Sequence, residues 1–175
     1  MSSDRRAVFF DRDGTLMAEE NYCASPSRVR AIPGAAEALA GLRRRGWLNI
    51  VITNQSGIGR GYFTTAEYEA VNAELFRQLG GAIDAAYHCA DHPSLPSSRR
   101  KPGTGMVEEA CADHGIIAGN SWFIGDKDVD IACGRAAGCR TILVLTGYGE
   151  EHRGCGADHI AADVAEAARI VLQEP

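Results

Sequence analysis

The feature that most constrains this chain is an alternation of short apolar runs with amphipathic stretches, the apolar runs repeatedly stopping at polar residues able to do chemistry. Ala7-Val8-Phe9-Phe10 has the composition of a buried parallel strand and ends at Asp11. Pro33-Gly34 opens helical spacing through Ala36, Leu39, Ala40 and Leu42, which stops at Gly46 after three arginines suited to a helix C-terminus. A strand is expected from Leu48 to Thr53. Thr64 and Glu67 then stand at capping-box spacing ahead of a helix carrying Tyr68, Val71, Leu75 and Phe76, closed by Gly80-Gly81. Ile83 to Cys89 reads as strand, Asp91 to Pro102 as loop, and Gly105 to His114 as a helix ended by Gly115. The strand from Trp122 to Ile124 stops at Gly125-Asp126. A small-residue helix (Asp128 to Ala137), a strand (Thr141 to Leu145) and a helix (Asp163 to Leu172) complete the series.

Such alternation predicts an α/β fold, a mostly parallel sheet with helices on both faces, formed by residues 1–175 as a single domain. Ligands of open sheets of this kind bind beyond the carboxyl ends of the strands. A chain of 175 residues is long enough to bury a core, and its 45% apolar and 23% charged residues are those of an ordinary globular protein. The net charge of -5 is interspersed, with no basic face for a nucleic-acid backbone. No apolar run approaches the about 20 residues that span a bilayer. The segment Met1 to Arg6 leads straight into the first strand, and the reading is a cytoplasmic protein with no membrane or nucleic-acid partner. A small domain with its own complete site is expected to be a monomer. The six cysteines stand at irregular spacings and are expected to be reduced, with Cys111, Cys133 and Cys139 serving as compact apolar side chains. His114, His152 and His159 read as helix-end or surface residues.

The strongest local signal is Asp11-Arg12-Asp13-Gly14-Thr15 directly after the first strand. Residues two apart in extended backbone point the same way, so two carboxylates share one space. Like charges so placed call for a bound cation or a raised pKa. A polar turn is the plainer reading of a lone Asp-x-Asp, but three later element ends add to it. Thr53-Asn54-Gln55-Ser56-Gly57 offers donors suited to a phosphoryl oxygen. Arg99-Arg100-Lys101 precedes a helix start near Gly103, where a cation beside helix N-terminal amides favours an anion; Arg99 itself reads as part of a solvated basic loop. Asp126, in Gly125-Asp126-Lys127-Asp128-Val129-Asp130, adds a third carboxylate for a hard divalent ion, for which Mg2+ is the natural candidate. Helix capping by Asp126 or Asp128 is compatible with that reading.

These four segments, in this order, resemble the four motifs of the haloacid dehalogenase superfamily from about Val8 to about Asp130. The resemblance implies a Rossmann-like fold without a large cap domain. Phe10 to Thr15, Thr53 to Phe63 and Arg100-Lys101-Pro102 are similar to the heptose-bisphosphate and histidinol-phosphate phosphatases. The Gly-x-x-Arg-Gly-Tyr-Phe ending from Gly57 to Phe63 is similar to that of the heptose enzymes. The resemblance implies a phosphatase acting on a small sugar phosphate, with Asp11 as nucleophile and Asp13 as acid and base. It also implies Mg2+ held by Asp11, the main-chain carbonyl of Asp13 and Asp126, with Asp130 behind them. Thr53 and Lys101 would steady the phosphoryl group. Arg100, Lys127, Asn54, Gln55, Ser56 and the loop Glu19, Glu20, Asn21 and Tyr22 would contact substrate.

The sequence departs from the heptose enzymes between Cys89 and Arg100, where they commonly bind structural zinc through Cys-x-His and Cys-x-Cys. Asp91 stands at the expected histidine, and Ser97 and Arg99 replace the second cysteine pair. His88, Cys89 and His92 offer at most a partial cluster, and no zinc is expected. Two rivals remain at this stage. One is a phosphatase of histidinol phosphate or another small phosphomonoester. The other is a receiver-like phosphoacceptor, against which the Asp13-Gly14-Thr15 continuation argues.

Overall fold

The apolar run Ala7–Phe10 forms strand β1, and its side chains divide between two cores: Val8 and Phe10 enter one, Ala7 and Phe9 the other. A strand buried on both faces needs no polar alternation, which is why the run is continuously apolar. The computed structural model of the protein describes residues 5–174, so the expectation for Met1 to Asp4 lies outside the described residues. β1 pairs in parallel with β2 (Leu48–Asn54) on one side and β4 (Trp122–Gly125) on the other. β3 (Ala85–Cys89) extends the sheet beyond β2, and β5 (Arg140–Val144) and β6 (His159–Ala161) extend it beyond β4. The spatial order is β3-β2-β1-β4-β5-β6. Strand order reverses between β1 and β4, so the connections leave their carboxyl ends in opposite directions and a crevice opens there.

Helices α1 (Ala35–Arg44), α3 (Thr65–Gln78) and α6 (Val164–Gln173) cover one face, inserting Leu39, Leu75 and Val171 into the core that Val8 and Phe10 share. Helices α4 (Gly105–His114) and α5 (Asp128–Ala136) cover the other, through Met106, Ala110 and Cys133. Each fully buried large aliphatic side chain contributes about 1.5–3 kcal/mol relative to exposure. Burial also raises the Cys133 thiol to about 11 and the Cys139 thiol to about 12, the behaviour of packing groups.

The differences from the sequence reading have local causes. The helix after Pro33 points Ala35, Leu39 and Leu42 inward, while Ala36 and Ala40 are only half-buried. The strand expected from Ile83 begins at Ala85. Ser56–Gly59, to which no element was assigned, closes one helical turn, α2. The helix expected from Gly105 to His114 has those bounds, the preceding turn taking the Gly103 N–H on Arg100 O and the Gly105 N–H on Ser98 O. His159 lies in β6 rather than at a helix end. That three-residue edge strand is too short and too polar at its flanks to give a sequence signal.

Helix α3 begins on the expected capping box: Thr64 Oγ1 accepts from Glu67 N at 3.2 Å, and the Glu67 carboxylate accepts from Thr64 N at 2.7 Å. Thr64→Ala is expected to lower stability by about 1 kcal/mol, as measured by urea unfolding. An unchanged midpoint would show that the box does not hold this helix.

Candidate active site

Three carboxylates that leave the sheet at different points converge at the crevice. Asp11 directly follows β1, Asp126 directly follows β4, and Asp130 lies in the first turn of α5. One carboxylate oxygen from each lies within 4.8 Å of the others, and all three residues are buried. Lys101 enters the same space from the loop before α4. Its Nζ donates to Asp11 Oδ1 at 2.8 Å and to the Ile52 carbonyl at 2.8 Å, and lies 2.7 Å from Asp130 Oδ1. Burial pulls the lysine pKa down, but Asp11 and Asp130 outweigh it and leave it raised, so the ammonium stays charged.

One cation does not neutralise three acids. Burial, reinforced by the charges of Asp11 and Asp130, pushes Asp126 up to about 8. Burial and Asp11 likewise push Asp130 up to about 6 against the pull of Lys101. Asp126 Oδ1 is buried without a hydrogen-bond partner. Asp130 Oδ1 has none either among the described residues, though it lies 2.7 Å from Lys101 Nζ, and a carboxylate set with such oxygens fits a hard divalent cation, whose ligands are oxygens.

The Asp126 carboxylate is confined by a second segment that the sequence reading missed. Tyr148 N donates to Asp126 Oδ2 at 2.9 Å, and Thr146 Oγ1 donates to Gly14 O at 2.6 Å. Gly14 and Gly147 have left-handed φ of 82° and 59°, and a Cβ at either position would overlap Asp126 Oδ2. The turn Thr146-Gly147-Tyr148, which follows β5, thus closes the site. Its only advance signal was its place at the carboxyl end of a central strand.

Asp13 stands apart from the acidic cluster. Its Oδ1 accepts from Arg12 Nη2 at 3.0 Å, and its Oδ2 accepts from Arg12 Nε at 3.1 Å and from Gln55 Nε2 at 2.8 Å. Gln55 Nε2 also donates to Thr53 Oγ1 at 2.9 Å, which ties the end of β2 to Asp13. Asn54 makes a reciprocal pair with the Lys101 backbone, accepting from Lys101 N at 3.0 Å and donating to Lys101 O at 3.2 Å. Its amide therefore positions the lysine loop, and the residue also lines the cleft there.

A cleft of about 490 Å3 opens from these groups, lined among others by Asp11, Asp13, Ser56, Arg100, Lys101 and Lys127. Arg100 Nη1 is buried there without a partner. Lys127 Nζ lies 3.9 Å from Glu19 Oε2 and 4.7 Å from the centre of the Tyr148 ring. Its pKa, lowered by burial, is raised overall by Asp11, Asp126 and Glu19. Glu19, Asn21 and Tyr22 line the cleft, and Asn21 and Tyr22 hold left-handed φ of 42° and 64°. Two consecutive non-glycine residues so placed mark a strained turn, the kind that persists at functional sites. The Tyr22 ring meets Tyr62 edge-on at 4.8 Å.

Glu20 corrects the sequence reading. Its carboxylate accepts from Arg28 Nη2 at 2.7 Å and Nε at 3.1 Å, and it turns away from the cleft. At the start of α5, Asp128 Oδ1 accepts from Val129 N at 2.8 Å and Asp130 Oδ2 from Lys127 N at 3.0 Å, while Asp126 Oδ2 is taken by Tyr148 N. Arg99 donates to His88 O at 3.1 Å and pairs with Glu109 at 3.4 Å, outside the cleft lining. In the loop after β3, Cys89 Sγ donates to Asp91 Oδ2 at 3.5 Å and lies 3.6 Å from Ser97 Oγ, while His92 Nδ1 is turned to Ser94 Oγ at 2.7 Å. Ser97 and Cys89 hydrogen bonds hold the Asp91 pKa below the usual carboxylate range.

A six-stranded parallel sheet with acids after β1 and β4 and a lysine loop beside them is the arrangement of a haloacid dehalogenase-like hydrolase, and the family model for HAD-like hydrolases matches residues 98–167. A D-glycero-D-manno-heptose-1,7-bisphosphate 7-phosphatase of Chlorobaculum tepidum is 37% identical, covering 97% of this chain and 96% of that one. The D-glycero-beta-D-manno-heptose-1,7-bisphosphate 7-phosphatase of Pseudomonas aeruginosa is 34% identical over 97% of this chain and 99% of its own. The crystal structure of D,D-heptose 1,7-bisphosphate phosphatase from B. bronchiseptica, complexed with magnesium and phosphate, superposes with a TM-score of 0.90 at 30% identity, covering 98% and 99% of the two chains. The chain belongs to the heptose-1,7-bisphosphate 7-phosphatase family of haloacid dehalogenase-like hydrolases.

The raised pKa values of Asp126 and Asp130 set the sign of a pH effect. The folded, metal-free protein keeps protons that the unfolded chain has lost above about pH 4. The stabilisation from these two groups is therefore complete below about pH 4 and lost as pH rises through about 6 and about 8. Chelator-treated protein is expected to melt at lower temperature at pH 9 than at pH 6, and Asp126→Asn should remove most of that fall. A wild-type midpoint that rises over this interval would contradict the assignment.

Proposed function

We propose that the protein is a Mg2+-dependent phosphatase that removes the 7-phosphate of D-glycero-D-manno-heptose 1,7-bisphosphate through an aspartyl-phosphate on Asp11. The observation that carries this reading is the convergence of Asp11, Asp126, Asp130 and Lys101 at the mouth of a cleft that also holds Asp13. Family membership supports the substrate.

Asp11, Asp126 and the main-chain carbonyl of Asp13 would hold Mg2+, with Asp130 beside them. The bound ion supplies neutralisation of the phosphoryl oxygens during transfer. The Asp11 carboxylate attacks phosphorus, the bond from phosphorus to the sugar oxygen breaks, and its electron pair leaves with that oxygen. Asp13 gives the oxygen a proton. Water then attacks the phosphorus, Asp13 takes its proton, and the bond to Asp11 breaks with the pair returning to the carboxylate.

Lys101 Nζ, donating to Asp11 Oδ1 at 2.8 Å, keeps that carboxylate turned to the cleft. Thr53, buried behind the cleft and bonded to Gln55, would offer its hydroxyl to the transferred group, and Ser56 lies on the cleft wall. Arg100 and Lys127 are the cations for the rest of an anionic substrate, with Glu19, Asn21 and Tyr22 on the sugar side. The Cys89 loop does not fit zinc. Asp91 and Ser97 are tied to Cys89 by hydrogen bonds, His92 faces Ser94, and Arg99 replaces a ligand with a cation. We therefore assign the loop no metal. The domain would act as a monomer.

Purified protein with Mg2+ is expected to release phosphate from heptose 1,7-bisphosphate with a kcat/KM at least about tenfold above that for histidinol phosphate, a difference of about 1.4 kcal/mol in barrier. Chelation should abolish turnover and added Mg2+ restore it. Equal or reversed preference would remove the heptose assignment. Turnover that survives chelation would remove the metal.

A further inference from the structure

Arg12 stands between the two aspartates of the first motif, and nothing in the mechanism above uses it. Its side chain is 1% exposed, so every N–H it presents must be satisfied by protein. Nε and Nη2 form a fork on the two Asp13 oxygens at 3.1 and 3.0 Å. Nη2 also donates to Gln55 Oε1 at 3.2 Å, and Nη1 donates to Asn72 Oδ1 at 2.9 Å. The Tyr68 ring lies 5.2 Å from the guanidinium carbon. Tyr68 and Asn72 stand four residues apart on α3, hence on one face, and both are buried.

A buried ion pair is a weak way to stabilise a fold, because desolvation offsets most of the attraction. A guanidinium does supply fixed donor directions. Here those directions set a carboxylate at the edge of the cleft that would otherwise be held by the single bond from Gln55. They also keep it out of the neighbouring acidic cluster. An ionised carboxylate has about four acceptor positions, and Asp13 Oδ2 has two bonds against one on Oδ1. Oδ1 is left with the free position for a proton.

We propose that Arg12, anchored by Asn72 and Tyr68 of α3, is the positioning residue for Asp13, aiming Oδ1 at the oxygen that leaves or attacks phosphorus. This rests on the reading of Asp13 as the proton-transfer group. Gln55 extends the same setting to Thr53, so one buried layer orients both side chains.

A leaving group that departs without a proton separates positioning of Asp13 from general damage. With enzyme in excess and Mg2+ present, single-turnover release of the leaving group is measured for heptose 1,7-bisphosphate and for p-nitrophenyl phosphate. Arg12→Lys is expected to slow release of the sugar about 100-fold, within the range of general acid catalysis, and release of nitrophenolate less than about fivefold. Asn72→Leu, which keeps Arg12 but removes its anchor, should show the same asymmetry at smaller size, and it decides the matter alone if Arg12→Lys does not fold.

Asp13→Asn is the reference. If it shows the asymmetry and neither of the other variants does, the positioning role is overturned while the reading of Asp13 stands. If Asp13→Asn shows none, both fall together. Equal losses on the two substrates in the Arg12 and Asn72 variants, or losses confined to KM, also overturn the proposal.

Discussion

The site is organised by the burial of one ammonium against several carboxylates. Lys101 is 3% exposed; its Nζ donates to Asp11 and to the Ile52 carbonyl and forms an ion pair with Asp130. A buried lysine without such partners would lose its proton, and buried carboxylates without a cation would gain one. The lysine is paired with Asp11 and Asp130, while burial and the charges of those two acids push Asp126 up to about 8. Asp126 has the higher raised pKa of the two shifted acids and two glycines packed against its carboxylate. The fold thus carries a charge deficit at one spot, and a divalent cation is the group that cancels it.

Around this centre the supporting contacts fall to separate elements. Asn54 at the end of β2 fixes the backbone of Lys101, and the turn after β5 fixes Asp126 through Tyr148 N and Gly147. Arg12, held by α3, fixes Asp13. The sheet brings these elements together because its strand order reverses between β1 and β4. Phosphoryl transfer asks chiefly for placement and charge, so a scaffold that fixes each carboxylate separately is suited to it.

Much of this was legible in the sequence. Asp11, Thr53 and Asp126 each end an apolar run, and parallel alternation places the ends of such runs along one edge. Lys101 was legible as a lone lysine between arginines and proline ahead of a helix. Arg12, Gly147 and Tyr148 were not, because their part depends on side-chain direction and on which strand ends are neighbours. Asp130 was expected behind the cluster, yet α5 begins so close to Asp126 that its carboxylate joins it. Glu20 was misread because its partner, Arg28, follows a short turn at Pro26–Arg28 that no periodicity announces. Asn54 lines the cleft, as a substrate contact would, but its bonds to the Lys101 backbone depend on a loop 47 residues away and could not be read from the sequence.

The most direct measurement of the central claim is to quench turnover of 32P-labelled substrate in acid and locate the label on the protein. The account predicts an acyl phosphate, released by hydroxylamine, on the peptide that carries Asp11. Rapid turnover with no label on the protein, or label on any other residue, would contradict it.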